Sequence, residues 1–232
     1  MKELLKDIFT SLSLSCEAEP FMTFSDMLLE TNKVMNLTAI TEPNDVCIRH
    51  FADSLALLSE YDFSNKRVID VGCGAGFPGL PLRLAKSDIK LTLLDSLGKR
   101  INFLNGVCDA LSLSDVECIH ARAEEQANEP GYREGYDIAV SRAVADLSML
   151  AEMCLPFVKV GGVFLAMKAA DCEDEINRAK NAIKTLGGKI RERRDYQLFG
   201  TDITHTVLVI EKISETPKKY PRRFAKIKAS PL

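Results

Sequence analysis

The stretch DVGCGAGFPG, residues 70–79, places four glycines within eight positions directly behind the apolar run RVI, at the first junction of a long strand-helix alternation. Short apolar runs read as strands in RVIDV (67–71), IKLTLLD (89–95), VECIHA (116–121), YDIAVSR (136–142), GVFLAMK (162–168), KIRERRDYQL (189–198) and HTVLVIEK (205–212). Helical segments fall between them at about 77–86, 97–111, 146–156 and 171–186. Alternation at this spacing requires right-handed crossovers and a seven-stranded, mostly parallel α/β sheet covered on both faces. The last two runs have no helix between them and are expected to pair as a hairpin. In such a sheet the first strand-to-helix turn lies at the carboxyl ends of the strands, where ligands bind.

Residues 1–60 have helical periodicity and no strand, so a helical appendage precedes a core over 61–215. In its second segment Phe21, Phe24, Leu28 and Met35 fall close to one face, and Asn44 is a candidate cap for the third. With no Trp, the interior is left to Leu, Ile, Val and Phe. Glu3, Lys6 and Asp7 interrupt the apolar stretch that an export signal would need, and no window approaches the roughly 18 apolar residues of a membrane span. The seven cysteines are scattered and never spaced C-x-x-C, which indicates neither a disulfide framework nor a zinc site and points to a reducing cytoplasm. Charge is segregated: residues 216–232 hold Lys218, Lys219, Arg222, Arg223, Lys226 and Lys228 and no acid, leaving 24 basic against 33 acidic side chains in the rest. A basic tail on an acidic body suits a polyanion, and a solvated terminus is the simpler alternative.

The glycines allow positive φ and let a ligand lie on bare backbone. Gly74, Gly76 and Gly79 satisfy the dinucleotide pattern G-x-G-x-x-G, but a pyrophosphate needs open N–H groups and positive potential, whereas Asp70 stands at the strand end and Pro78 removes a donor. Gly72, Gly74 and Gly76 behind that acid form G-x-G-x-G, which suits a ligand with a cationic amino-acid end, such as S-adenosylmethionine. Asp95 ends the second strand, where it can accept both ribose hydroxyls, cap the helix that follows, or do both. Ala123 and Glu124 follow the third strand and could border an adenine.

Together DVGCGAGFPGLPL, LLDSLGKRINFL, ARAEE, SRAVADL and the ending YPRR…PL, preceded by NLTAI and RHFADSL, resemble the bacterial ribosomal RNA small-subunit methyltransferase G family, also called the glucose-inhibited division protein B family. The likeness runs over about residues 36–232. It implies a class I methyltransferase (Rossmann-like) fold, S-adenosylmethionine as donor, and formation of 7-methylguanosine at one guanine of 16S ribosomal RNA. Matched by motif, Gly72, Phe77, Ala123, Glu124 and Arg142 would contact the cofactor, with Asp95 in the ribose place. Cys73 stands where Thr or Ser is common. In the tail, Phe224, Ala225 and Ile227 replace small residues and Pro.

Ring nitrogen seven of guanine carries a lone pair and no proton, so the reaction needs placement and no general base. Asp70 is therefore expected at the periphery of the cofactor, away from its sulfur. Phe77 could pack on either ligand or be an ordinary buried contact. Arg142, ending the fourth strand, could grip a carboxylate, a phosphate or a structural acid, and Lys168 is a weaker candidate of the same kind. Arg49 and His50 in RHFADSL form a possible RNA-contacting cluster with Asp53 nearby, while His120 and His205 are expected only to pack. The partner implied is 16S ribosomal RNA or the small-subunit particle, with no membrane, and the chain is expected to act as a monomer. A methyltransferase for a small molecule or protein, a nicotinamide-dependent oxidoreductase and a non-catalytic RNA-binding assembly protein are the alternatives.

Overall fold

A computed structural model describes residues 1–142 and 145–232; residues 143 and 144, inside SRAVADL, lie outside the described part. The first helices are α1 (Lys2–Ser11), α2 (Ala18–Asn32) and α3 (Pro43–Val46). A π-helical segment, Cys47–Ala52, joins α3 directly to α4 (Asp53–Glu60). The core then runs β1 (Arg67–Val71), α5 (Gly79–Ala85), β2 (Lys90–Asp95), α6 (Gly98–Ala110), β3 (Val116–His120), α7 (Ala123–Gln126), β4 (Tyr136–Arg142) and α8 (Leu147–Cys154). After one 3-10 turn come β5 (Val158–Ala169), α9 (Glu173–Thr185), β6 (Gly188–Gln197), β7 (Thr204–Lys212) and α10 (Phe224–Ala229).

The seven strands lie in the order β3-β2-β1-β4-β5-β7-β6. The first five pair in parallel. β6 and β7 form the expected hairpin, and β7 inserts antiparallel beside β5, so His205 lies opposite both Tyr196 and Ala169. Strand periodicity sorts the core into two layers. Val68, Leu93, Leu165, Val207 and Val209 face one side, where the N-terminal helices pack with α5 and α6. Ile69, Leu94, Ala166, Leu208 and Ile210 face the other, against α8, α9 and α10.

Phe21, Phe24 and Leu28 line the buried face of α2 as their spacing predicts. Met35 falls outside the helix, because α2 stops at Asn32 and the Asn32 carboxamide takes over the next turn, accepting from the Leu37 and Thr38 amides at 2.7 and 2.9 Å. Asn44 caps nothing; Pro43 opens that helix instead. β5 starts four residues before its sequence reading, since Gly161 and Gly162 look like a turn. They are a bulge within the strand, where a Cβ on Gly162 would lie 2.5 Å from the Asp137 carbonyl.

The basic tail is not described by the solvated-terminus alternative. It is bound to the body: Thr216, Tyr220 and Ile227 are buried, and Arg133 donates to the Thr216 and Tyr220 carbonyls at 2.8 and 3.0 Å. Arg222 forks the fully buried Glu152, with Nη2 at 2.6 Å from Oε2 and Nε at 2.8 Å from Oε1. Arg222 is therefore a structural anchor, while Lys218, Lys219, Arg223, Lys226 and Lys228 remain exposed. Ile227 fills the core, which accounts for an apolar residue at that tail position.

Candidate active site

A cleft of about 870 Å³ opens at the carboxyl ends of β1, β2, β4 and β5. One wall is backbone. Gly72, Gly74 and Gly76 take φ of 72°, 58° and 99°, values that L side chains rarely tolerate. The Gly72 and Cys73 amides both donate to the Leu94 carbonyl, at 2.8 and 3.1 Å, which pins the turn across the end of β2. A Cβ on Gly74 would meet nothing within 4 Å, so this peptide faces open space. Gly76 turns inward instead, where a Cβ would sit 2.8 Å from Leu104 Cδ2.

Asp70 is behind this wall. It is fully buried, and its Oδ2 accepts the Gly79 amide at 2.7 Å, anchoring the start of α5. A Cβ on Gly79 would come within 2.9 Å of that carboxylate, so glycine is required for the approach. Burial raises the Asp70 pKa to about 7, and Oδ1 has no partner among the described residues. The sequence expectation sets Asp70 at the cofactor's periphery; the structure places it outside the cleft lining, buried by the packing of α5, where it supports the turn from behind. Asp95 does reach the cleft. Its Oδ1 accepts the Leu97 amide at the start of α6 (2.8 Å), and its Oδ2 accepts Gly74 N–H (3.0 Å) and Arg100 Nη1 (3.2 Å).

The facing wall is made of side chains. His50 and Asp53 lie three positions apart and share one helical face. Arg142 at the end of β4 sits between them: Nη1 donates to Asp53 Oδ2 at 2.8 Å and Nη2 to His50 Nδ1 at 3.0 Å. A guanidinium only donates, so His50 Nδ1 carries the lone pair and Nε2–H donates to Thr38 Oγ1 at 2.8 Å. Burial and the neighbouring Arg142 charge push the His50 pKa down to about 3, which keeps the ring neutral. The imidazole stacks on Phe77 at 4.3 Å, and Phe77 stacks on Phe24 at 5.1 Å. Asp53 is buried and accepts two more bonds on Oδ1, from Tyr196 OH and His205 Nδ1, each at 2.7 Å. Burial alone would raise its pKa; the His205 bond, the Arg142 charge and the Tyr196 bond bring it below the ordinary value.

Of the residues named from sequence, the structure gathers Gly72, Gly74, Phe77, Asp95, Arg142, Arg49, His50 and Lys168 around this cleft. Gly76 and Asp70 stand behind it, and the lining stops short of Ala123 and Glu124, which open α7 beyond β3. Phe77 is held between two rings, which is its buried-contact reading. Lys168 is engaged by Glu175 Oε1 at 2.5 Å and the Ala145 carbonyl at 2.7 Å. Sequence reasoning missed Tyr196 and His205: they come from the far end of the chain, and only the antiparallel insertion of β7 brings them here. RHFADSL, with Asp53 three residues after His50, was the one local signal.

Known proteins resemble this chain over nearly its whole length. A family model described as GidB, rRNA small subunit methyltransferase G, matches residues 17–195. A ribosomal RNA small subunit methyltransferase G from Alkaliphilus metalliredigens is 50% identical, covering 96% of this chain and 95% of the relative. Its counterpart from Alkaliphilus oremlandii is 48% identical, covering 100% and 99%. Among solved structures, M. jannaschii TYW2 in complex with AdoMet superposes with a TM-score of 0.54 at 17% identity, over 69% of this chain and 77% of that one. TrmN from Thermus thermophilus gives 0.53 at 20% identity, over 69% and 48%. These two likenesses concern the fold.

Proposed function

The chain belongs to the rRNA small subunit methyltransferase G family, and from that membership we infer that it is an S-adenosylmethionine-dependent methyltransferase of ribosomal RNA. Its product is 7-methylguanosine at one guanine of 16S ribosomal RNA, free or in the small-subunit particle, formed by a monomer in the cytoplasm. Among the described residues no helix is long and apolar enough to cross a membrane.

The observation that carries this reading is the open peptide at Gly74 beside Asp95. A bare, positive-φ turn with an acid at the end of the next strand suits a nucleoside bearing a cationic amino-acid group, and the cleft's 870 Å³ leaves room for a base beside it. Bound there, S-adenosylmethionine supplies a methyl group on a cationic sulfur. Gly72 and Gly74 would hold it through backbone atoms. Asp95 Oδ1, which has accepted only one hydrogen bond, keeps a lone pair for a ribose hydroxyl.

The ionisable groups of the facing wall suit a reaction that needs no base. His50 has given its lone pair to Arg142, Asp53 is occupied by three donors, and Asp70 is sealed behind the glycine turn. What this chain contributes is position: Arg142 is fixed by Asp53, His50 and the Arg49 carbonyl, and among the described residues its Nε–H and one Nη2–H are left for a ligand. Because ring nitrogen seven points into the narrow major groove of an RNA helix, the base must be unpaired to enter. Arg49 and the five exposed tail cations then have the strand's phosphates to contact.

Incubation with labelled S-adenosylmethionine and 16S ribosomal RNA, followed by cleavage at 7-methylguanosine and primer extension, tests this directly. A single labelled guanine is the expected result, with micromolar donor affinity and no NAD binding. Unlabelled RNA, or NAD bound in preference to the donor, contradicts it.

A further inference from the structure

We propose that His205, oriented by Asp53, grips a phosphate oxygen of the RNA strand beside the target base, with Arg49 as a second cation on the same wall. The proposal rests on the RNA-methyltransferase reading and names a contact within it. Two histidines line the cleft, and their situations are opposite. Both nitrogens of His50 are engaged, by Arg142 and Thr38. His205 has only Nδ1 engaged, by Asp53 Oδ1 at 2.7 Å; Nε2 has no partner among the described residues, and 30% of the side chain is exposed. An acid that fixes one ring nitrogen aims the other, so Nε2 is a pre-set donor at the cleft whenever the ring is charged.

The surroundings favour the charged ring. The hydrogen bond that His205 Nδ1 donates to Asp53 on α4 raises the His205 pKa above its ordinary value, partly opposed by burial and by Arg142 on β4. Tyr196, opposite on β6, donates its own proton to Asp53, and burial and that carboxylate keep the phenol protonated. On β5 the facing residue is Ala169, and the adjacent Lys168 is paired with Glu175. With the His205 ring protonated, Asp53 balances one of two cations, Arg142 or His205, and leaves a net positive charge. Arg49 adds another, since no hydrogen bond or ion pair of the described residues reaches its guanidinium. On a body that is otherwise acidic, a local cationic site of this kind draws a phosphate. His205 also sits on β7, away from the glycine turn after β1.

The test is binding of deproteinised 16S ribosomal RNA by filter retention, for the wild type and His205→Gln, between pH 6 and 9 and from 50 to 200 mM salt. S-adenosylmethionine affinity is measured in parallel. Wild-type RNA affinity is expected to fall at least threefold across that pH range. His205→Gln should remove that fall and lower the salt slope by about 0.7, the value for one phosphate on a single strand, with donor affinity unchanged. A flat wild-type profile overturns the proposal without any variant. So does a variant that keeps the wild-type fall, which would then belong to Asp70, or one that weakens RNA binding without changing the salt slope, which would indicate a base edge. Equal loss of RNA and donor binding overturns it too, as a structural role. If the wild type transfers no methyl group to RNA, the reading beneath the proposal fails first.

Discussion

The two walls of the cleft are built from different materials. The wall over β1 and β2 is peptide, shaped by glycines at positions 72, 74 and 76 and braced by Asp70 and Asp95, all within 26 residues of chain. The wall over β4, β6 and β7 is side chain, and its hydrogen-bonded members run from Thr38 to His205. A backbone wall can hold a ligand that is the same in every turnover. A side-chain wall can read a polymer, because its charges and donors are separately adjustable. The difference predicts that damage to one wall should leave the other's ligand in place.

Arg142→Ala should have the largest effect. It frees His50, leaves Asp53 with one cation fewer, and is expected to cut the methylation rate about a hundredfold or more, the scale of a misplaced reacting group. Single-turnover transfer at saturating donor measures it, and a loss below fivefold would break the wall's claimed role. Gly74→Val attacks the other wall: its side chain enters the open cradle and costs roughly 1–3 kcal/mol of backbone strain. Donor affinity should fall at least tenfold in calorimetric titration while RNA retention stays within twofold. Asp95→Ala should act in the same direction through the lost ribose contact and the loosened Gly74 amide.

Smaller effects sharpen the comparison at its edges. Replacing Lys218, Lys219, Arg223, Lys226 and Lys228 with Gln should weaken RNA binding about tenfold near 0.1 M salt, with donor affinity and melting temperature little changed. Arg222→Ala should instead cost stability, about 3–5 kcal/mol, because it strands the buried Glu152. Truncating the whole tail would confound the two.

The least effect is a pH dependence with opposed signs. His50, depressed to about 3, contributes stability that is present above its unfolded pKa near 6.5 and is lost as pH falls toward 3. Asp70, raised to about 7, contributes stability present below its unfolded pKa near 3.8 and lost as pH rises through 7. Asp70→Asn should therefore raise the melting temperature relative to wild type more at pH 8 than at pH 5. A pH-independent difference would contradict that assignment.

The same contrast explains what the sequence could disclose. The glycine turn, Asp95 and the strand-helix alternation are local, so spacing alone places them, and the seven strand readings all fall on observed strands. The side-chain wall depends on β7 entering between β5 and β6, a long-range choice with no local mark, so Tyr196 and His205 were unreadable. Asp70 misled for another reason: an acid at a strand end reads the same whether it faces the ligand or the helix packed behind. The anchoring of the tail was equally hidden, because composition registers its charge and not Tyr220, Thr216 and Ile227, which tie it down.

A crystal structure with bound S-adenosylmethionine would test the central claim most directly. The account predicts density along the Gly72–Gly74 peptides with a ribose at Asp95, leaving Nε2 of His205 uncovered. A donor lodged across Arg49 and His205, or a glycine turn closed by protein atoms, would contradict it.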